Sequence, residues 1–557
     1  MSNIFGTHSR RPRFGFAVVT FGLLFASAAC SLILNNDATQ CSTDGDCAGF
    51  AAGAVCKNSV CVKAGTGTGP GTDGSDEGST NGEGGPNAEA GPCQSGGFAG
   101  NPTTNAEFLN HCTAAQCLPF DNCAKLGLCG DAGLLPAVDP EGGAATSPPP
   151  TATPIGVCET LLQAASPGAV PIYVTGSSNF PGFLKLVAPL LAADNHYVIW
   201  QQTNSCTAVG LVFQAQSGVP DPTKQRLVDQ SVNPKSQPTF YYDATGNQVP
   251  CTLDNSAAGT ASHFVDVAES DVFADSCVET IGYHPAVPGP GPDFIAGYTG
   301  PIQAMTYLVP GASTQTAISA EAANAVYGHG GVPDTTKLPW GDPAQFFNRT
   351  FSTGTNQLVS RAMNVNPTKW WGVDKKSAAG MVTALEAVPS DQAEKTIGVV
   401  STDLADQARG NLKVLAFQAA GQTCGFWPDS TPFATDKQNV RDGHYPIWGP
   451  LHFYTKLVAG APTDPAGAFV LRFSLARLDQ TLVEAIAKSG NVPQCAMHVT
   501  RDVEMGDLKR FTSPYDCDCV FAKAATGTAP AECQACATAS SCPSSRPACN
   551  YGYCEKE

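Results

Sequence analysis

Basic residues are scarce. Against 48 Asp and Glu the 557-residue chain has only 31 Lys and Arg, a formal net charge of −17 and a pI near 4.9. A phosphate polymer would be repelled, which argues against nucleic acid as a partner. A small anion is not excluded, because local dipoles and one arginine can hold it. After the N-terminal region no apolar run is long enough to cross a bilayer. HExxH, Walker P-loop and GxSxG motifs are all missing, so a zincin, a P-loop NTPase or an α/β-hydrolase has no support. No metal cluster or activated nucleophile stands out either, which leaves a phosphatase-like hydrolase weakly founded. The expectation is a protein that is not an enzyme and needs no cofactor or metal.

What is present begins with a 42 % hydrophobic composition, enough for a large core, in a chain long enough for two to four domains. Twenty-three cysteines, many closely clustered, point to an oxidising compartment. The N-terminus agrees. Arg10, Arg11 and Arg13 precede the apolar run Phe14 to Phe25, which leads into Ser27-Ala28-Ala29-Cys30. This pattern reads as an export signal over residues 1–29. The cysteine after small residues resembles the lipobox of bacterial lipoproteins, with Cys30 as the lipidated residue. Ser27 departs from the usual aliphatic residue there, so cleavage without lipid is the alternative. Without Cys30, 22 cysteines remain, an even number that permits complete pairing.

Residues 30–62 hold Cys41, Cys47, Cys56 and Cys61, and residues 517–557 contain a related set, Cys536, Cys542, Cys549 and Cys554. The first and last spacers match, at five and four residues, while the middle one differs, eight against six. So few residues cannot bury a core, and disulfides are expected to hold each module. Zinc is disfavoured because the matched pairs lack CxxC spacing and an accompanying His. Asp44-Gly45-Asp46 hints at calcium but lacks the other ligands of a loop site. Residues 63–92 form a Gly-rich acidic linker, 93–130 a Cys-rich segment, and 131–157 a Pro/Ala/Gly linker. A compact domain is expected over 158–516.

Within that domain apolar strands repeatedly end in hydroxyl-rich turns. Ile172-Tyr173-Val174 runs into Thr175 to Phe180, with Pro181 at a first helical position and an apolar stripe Leu184, Val187, Leu191. Tyr197 to Trp200 leads to Ser205 and a helix over Ala208 to Gln214, and a strand Phe264 to Ala268 leads to Glu269-Ser270-Asp271. The central stretch is Asn348-Arg349-Thr350-Phe351-Ser352-Thr353-Gly354-Thr355: an arginine, a turn, and a helix that Ser352, Thr353 or Gly354 can cap. The free N–H groups of a helix start, beside a guanidinium, can hold an oxyanion. Strand–turn–helix alternation implies parallel α/β units whose crevices lie at strand C-termini, so the turns near 177, 205, 271 and 353 can share one cleft.

The order of Thr-Gly-Ser-Ser-Asn-Phe-Pro (175–181), Gln-Gln-Thr-Asn-Ser-Cys (201–206), Asp-Val-Ala-Glu-Ser-Asp (266–271) and Arg-Thr-Phe-Ser-Thr-Gly-Thr (349–355) resembles the phosphate-binding protein of the phosphate ABC transporter. That family has the α/β, two-lobed type II periplasmic binding protein fold with hinge strands; small disulfide-rich terminal modules would be additions here. The resemblance covers roughly 168–515, with lobe 2 at about 306–444 and the hinge at Ile302 to Val309 outward and Tyr445 to Trp448 on return. It implies a phosphate site of Asn179, Phe180, Ser205, Asp271, Arg349, Thr353, Gly354 and Thr355. In it Asp271 accepts a proton from the anion, and Arg349 contacts the anion and pairs with Asp271. Asn179 replaces a hydroxyl, and Phe351 stands where the family more often has an acid. A carboxylate facing an anion favours protonated phosphate over sulfate, because an unpaired buried acceptor is costly.

The remaining motifs have plainer readings. His329-Gly330-Gly331 is similar to a lipase oxyanion turn but follows a helix over Ser319 to Tyr327, with Gly328 as its natural stop. Trp370, Trp371 and Trp427 read as packing. Cys206, Cys251, Cys277, Cys424 and Cys495 are expected to stiffen the lobes through disulfides. The function expected is a lipid-tethered solute-binding protein of the cell envelope, facing the periplasm or outer surface. It would bind inorganic phosphate or a similar oxyanion reversibly, with an ABC permease as partner. The alternative is an envelope structural or adhesion protein on a binding-protein scaffold that no longer binds phosphate.

Overall fold

The computed structural model describes residues 97–129, 152–219, 221–254, 262–287 and 294–556, together with the backbone of 54–57 and 60–63. The export signal, Cys30, Cys41, Cys47, Cys93, the Asp44-Gly45-Asp46 turn and most of both linkers lie outside the described residues. The chain divides into two compact units, Met1–Asn87 and Ala88–Glu557. In the first, strands β1 (Ala54–Lys57) and β2 (Val60–Lys63) form an antiparallel hairpin with Cys56 opposite Cys61.

The second unit is built on one long sheet. In chain order its elements are β3 (Val170–Gly176), α1 (Pro181–Ala192), β4 (His196–Gln202), α2 (Ser205–Phe213), β5 (Thr239–Tyr242), β6 (Gln248–Cys251) and β7 (Val267–Ser270). Then come β8 (Ile295–Pro310), α3 (Ala320–His329), β9 (Phe346–Asn348), α4 (Gly354–Ala362), β10 (Val373–Asp374), α5 (Ala378–Glu386), β11 (Ile397–Ser401), α6 (Thr402–Ala408) and β12 (Trp448–Val458). After them come α7 (Gln480–Lys488), α8 (Asp518–Thr526), β13 (Ala548–Asn550) and β14 (Tyr553–Glu555). The sheet order is β10-β9-β11-β8-β12-β7-β3-β4-β5-β6. Strands β7, β3 and β4 are parallel in the first lobe, and β10, β9 and β11 are parallel in the second.

Strand β8 belongs to both lobes. Ile295 to Ala304 pair antiparallel with β12, and Met305 to Leu308 pair antiparallel with β11. The returning segment is bonded to this crossing: Met305 N–H donates to Ile447 O at 2.9 Å, and Tyr445 Oη donates to Met305 O at 2.7 Å. Two α/β lobes joined by crossing strands make up the architecture. Helix α1 shows why the lobes cohere. Its Phe183, Leu184, Val187, Ala188 and Leu191 recur at helical spacing and pack on Ile172, Val174 and Trp200 of the sheet.

Three local expectations shift. The strand expected over Phe264 to Ala268 is split between Ser262–Phe264 and β7. At the break Asp266 N–H donates to Tyr173 O, and its carboxylate accepts the Tyr173 N–H, both at 2.9 Å. Helix α2 starts at Ser205 rather than Ala208, because Asn204 caps it by accepting from Thr207 N–H. Helix α3 runs through Gly328 and stops at Gly330, whose φ of 75° is the left-handed conformation a helix end favours.

Eight disulfides lie among the described residues: 117–424, 123–129, 158–251, 206–277, 495–517, 519–533, 536–549 and 542–554. They require an oxidising environment. The Cys117–Cys424 bond, with the pairing of Cys117–Leu118 to Gly425–Phe426, fastens the 97–129 segment to the second lobe. At the C-terminus β13 and β14 place Cys549 opposite Cys554, the same facing pair as Cys56 and Cys61. Helix α8 packs on α7, and a polar knot fixes it further. Arg441 pairs with Asp518, and His498 sits between Asp442 (2.6 Å) and Asp518 (2.9 Å). Among the described residues no helix is long and apolar enough to cross a membrane.

Candidate functional site

The four hydroxyl-bearing turns meet between the lobes. From the first lobe, the turn after β3 brings Ser177, Ser178 and Asn179. Ser177 N–H donates to Glu269 Oε2 at 2.7 Å, and its hydroxyl donates to Asp271 Oδ2 at 2.7 Å. Asn179 Nδ2 donates to Asp271 Oδ2 and to Thr355 Oγ1, both at 3.2 Å. At the start of α2, Ser205 Oγ accepts the Asp271 N–H at 3.2 Å and the Gly354 N–H at 3.1 Å. The Cys206–Cys277 disulfide ties this helix start to the segment that follows Asp271.

From the second lobe come Arg349, just after β9, and the N-terminus of α4. Thr353 caps α4, accepting from Asn356 N–H at 3.4 Å and donating to Thr350 O at 2.9 Å, so its hydroxyl is committed to the turn. Gly354 needs its missing side chain. A Cβ there would lie 2.4 Å from Asp271 Cβ and 2.6 Å from Ser205 Oγ. Besides the Ser205–Gly354 and Asn179–Thr355 bonds, Ala378 N–H at the start of α5 donates to Ser178 Oγ at 3.0 Å, and Cys206 N–H donates to Ser352 O at 3.1 Å. The lobes therefore touch directly through residues of the candidate site.

Arg349 is 2 % exposed, and its Nε and Nη1 have no hydrogen-bond partner. Burial lowers its pKa to about 10, against the opposing pull of Asp271 and Asp374. Buried polar atoms are nearly always paired, so this guanidinium face lacks the acceptor it would ordinarily have. Asp271 Oδ1 and Asn179 Oδ1 are also buried and unpaired. Burial raises the Asp271 pKa; Ser177, Glu269 and then Arg349 oppose that rise. Ser205 and Thr355 accept N–H donors through their hydroxyl oxygens, which leaves each a proton to donate.

Phe180 lies apart from this chemistry. Its ring packs on Phe183, Trp200 and Phe453, and its N–H donates to Ser177 O at 3.1 Å. Phe351, beside the site in sequence, is 38 % exposed. Trp370 and Trp427 are packed, with indole N–H groups donating to Ser360 Oγ and Val414 O. Sequence reasoning missed Ser177 and Glu269. Glu269 is wholly buried, and burial, then the neighbouring Asp271, pushes its pKa well above the usual carboxyl range. The signal available was the strand period: residues two apart share a face, so Glu269 accompanies Asp271. A cavity of about 380 Å³ lies elsewhere, between the start of β8 and the 473–478 loop.

The sequence matches no family model and no curated protein. Solved structures overlay weakly. One is a phosphate-bound substrate-binding protein assigned to phosphate ABC transport in Clostridium perfringens (TM-score 0.38, 8 % identity, 58 % of this chain and 99 % of that one). Another is an ABC-type phosphate transport receptor from Vibrio cholerae (0.34, 13 %, 58 % and 100 %). A third is full-length OxyR from Pseudomonas aeruginosa (0.29, 10 %, 59 % and 77 %). At these scores the overlays decide nothing about chemistry, and the two-lobed fold stands on the strand order and the shared strand β8.

Proposed function

We propose that this chain is an extracytoplasmic solute-binding protein that captures inorganic phosphate, or a similar tetrahedral oxyanion, between its two lobes and performs no bond chemistry on it. The observation that carries this reading is Arg349, buried with Nε and Nη1 unpaired beside the N-terminus of α4. A buried cation without a partner is costly, and an anion placed there would relieve that cost while meeting the helix dipole. The Ser205 and Thr355 hydroxyls and the Asn179 amide would complete the shell. With Cys30 as a lipid anchor, the protein would hand its anion to an ABC permease. Calorimetric titration of the purified protein with phosphate tests the reading. Micromolar or tighter binding, weakened by Arg349→Ala and by Asp271→Ala, is expected; no heat with phosphate overturns it.

A second reading has an observation in its favour. The direct bonds Ser205–Gly354, Ser178–Ala378 and Asn179–Thr355 let the lobes satisfy each other across the cleft. A structural or adhesive envelope protein on this scaffold would keep such bonds and ignore phosphate. Small-angle scattering with and without phosphate separates the two, since only a receptor changes its lobe separation on binding.

A further inference from the structure

The candidate anion site holds one acid more than anion binding calls for. Glu269 lies in β7 and Asp271 follows directly after its last residue, two positions on, the spacing at which extended backbone turns side chains to one face. Ser177 grips both: its amide reaches Glu269 and its hydroxyl reaches Asp271, each at 2.7 Å. One residue's amide and hydroxyl reach two carboxyl groups only if those groups lie side by side. Both are at most 2 % exposed. Gly176 provides the space, since a Cβ there would be 2.2 Å from Glu269 Oε2.

The charges around the pair do not balance two carboxylates. Arg349 acts on Asp271 but is not among the groups acting on Glu269. Asp374 of β10 is paired with Lys376 at 2.6 Å, and Asp403 of α6 adds a third buried acid that feels Asp271. Two adjacent buried carboxyl groups with one arginine settle by keeping one proton between them.

We propose that Glu269 determines anion specificity: it stays protonated, and a proton on its otherwise unpaired Oε1 serves the otherwise unpaired Oδ1 of Asp271, supplying the hydrogen bond that a protonated ligand would otherwise have to bring. Asp271 then demands no proton from the incoming anion. The site accepts sulfate as well as phosphate, contrary to what Asp271 alone implies. This rests on the oxyanion-binding reading above.

The test is calorimetric titration of the whole protein with inorganic phosphate and with sulfate at neutral pH, for wild type, Glu269→Gln and Glu269→Ala. Wild-type affinities for the two anions are expected within about tenfold of each other. Glu269→Gln keeps an N–H donor toward Asp271 and keeps that ratio. Glu269→Ala leaves the Asp271 oxygen unpaired, and sulfate weakens by about ten- to a hundredfold relative to phosphate. Infrared spectra of wild type should show a protonated-carboxyl C=O band at neutral pH that Glu269→Gln removes. If Glu269→Ala fails to fold, the wild-type ratio and the infrared band decide. Phosphate binding with sulfate rejected by more than about a thousandfold, or absence of the band, overturns the role of Glu269 and leaves phosphate capture standing. Silence toward both anions overturns the binding reading, and this inference with it.

Discussion

The amide of Gly354, the first residue of α4, donates to the Ser205 hydroxyl oxygen at 3.1 Å, joining a helix start in one lobe to a helix start in the other. The same oxygen accepts the Asp271 N–H. Ser205→Ala would strand two buried amides, at about 1–3 kcal/mol each if no water replaces the hydroxyl. Denaturant unfolding should show that loss.

Gly354→Ala should act on lobe contact rather than on either lobe. Its Cβ would overlap Asp271 and Ser205, while alanine within a helix is otherwise favourable. Scattering should report lobes held further apart, and calorimetry a loss of phosphate affinity of at least about tenfold. An unchanged scattering profile would show that the contact is dispensable.

Arg349→Met separates binding from stability. Methionine relieves the unpaired buried Nε and Nη1 but also removes the charge that acts on Asp271 and Asp374, and these effects on stability oppose one another. Thermal unfolding should therefore move little, while phosphate affinity falls by about ten- to a hundredfold. A large drop in Tm would show that Arg349 is a structural ion-pair member instead.

The His498 knot predicts an alkaline loss. Asp518 and Asp442 outweigh the effect of burial and raise the His498 pKa from 6.5 to about 10. A raised folded pKa means that the knot's contribution is full below about pH 6.5 and fades as pH climbs toward about 10. Since 37 % of the imidazole side chain is open to water, screening trims the effect. Urea unfolding of wild type and His498→Gln across that window should converge at its upper end; parallel curves would contradict the assignment.

Removing the Cys206–Cys277 bond with paired alanines should cost about 2–4 kcal/mol. Because the bond ties the start of α2 to the segment after Asp271, phosphate affinity should fall together with Tm. A fall in Tm at constant affinity would show that Ser205 and Asp271 hold their places without it.

Much of this arrangement is legible in residue order. Apolar runs such as Ile172–Val174 and Tyr197–Trp200 announce their strands, and the hydroxyl-rich ends of those runs announce the turns that the fold brings together. Less legible is which group in a turn does what. Ser177, Ser178 and Asn179 look interchangeable in sequence, yet Ser177 grips two carboxyl groups, Ser178 accepts from Ala378, and Asn179 bridges Asp271 to Thr355. Tertiary neighbours assign those roles. Glu269 escaped notice because strands rarely bury an acid without a cation, and it is burial, the Ser177 N–H and the neighbouring carboxyl that fix its state. The end of α3 was misplaced because glycine at 328 can sit inside a helix that packing supports, while glycine at 330 adopts the left-handed turn.

Strand β8 runs sixteen residues, with a bulge between Thr299 and Ile302, and changes partner between Ala304 and Met305. Because backbone ladders continue on both sides of that point, no slack loop exists there to swing on. Any change in lobe separation would then have to bend or twist a paired ribbon rather than swing on a loop at that point.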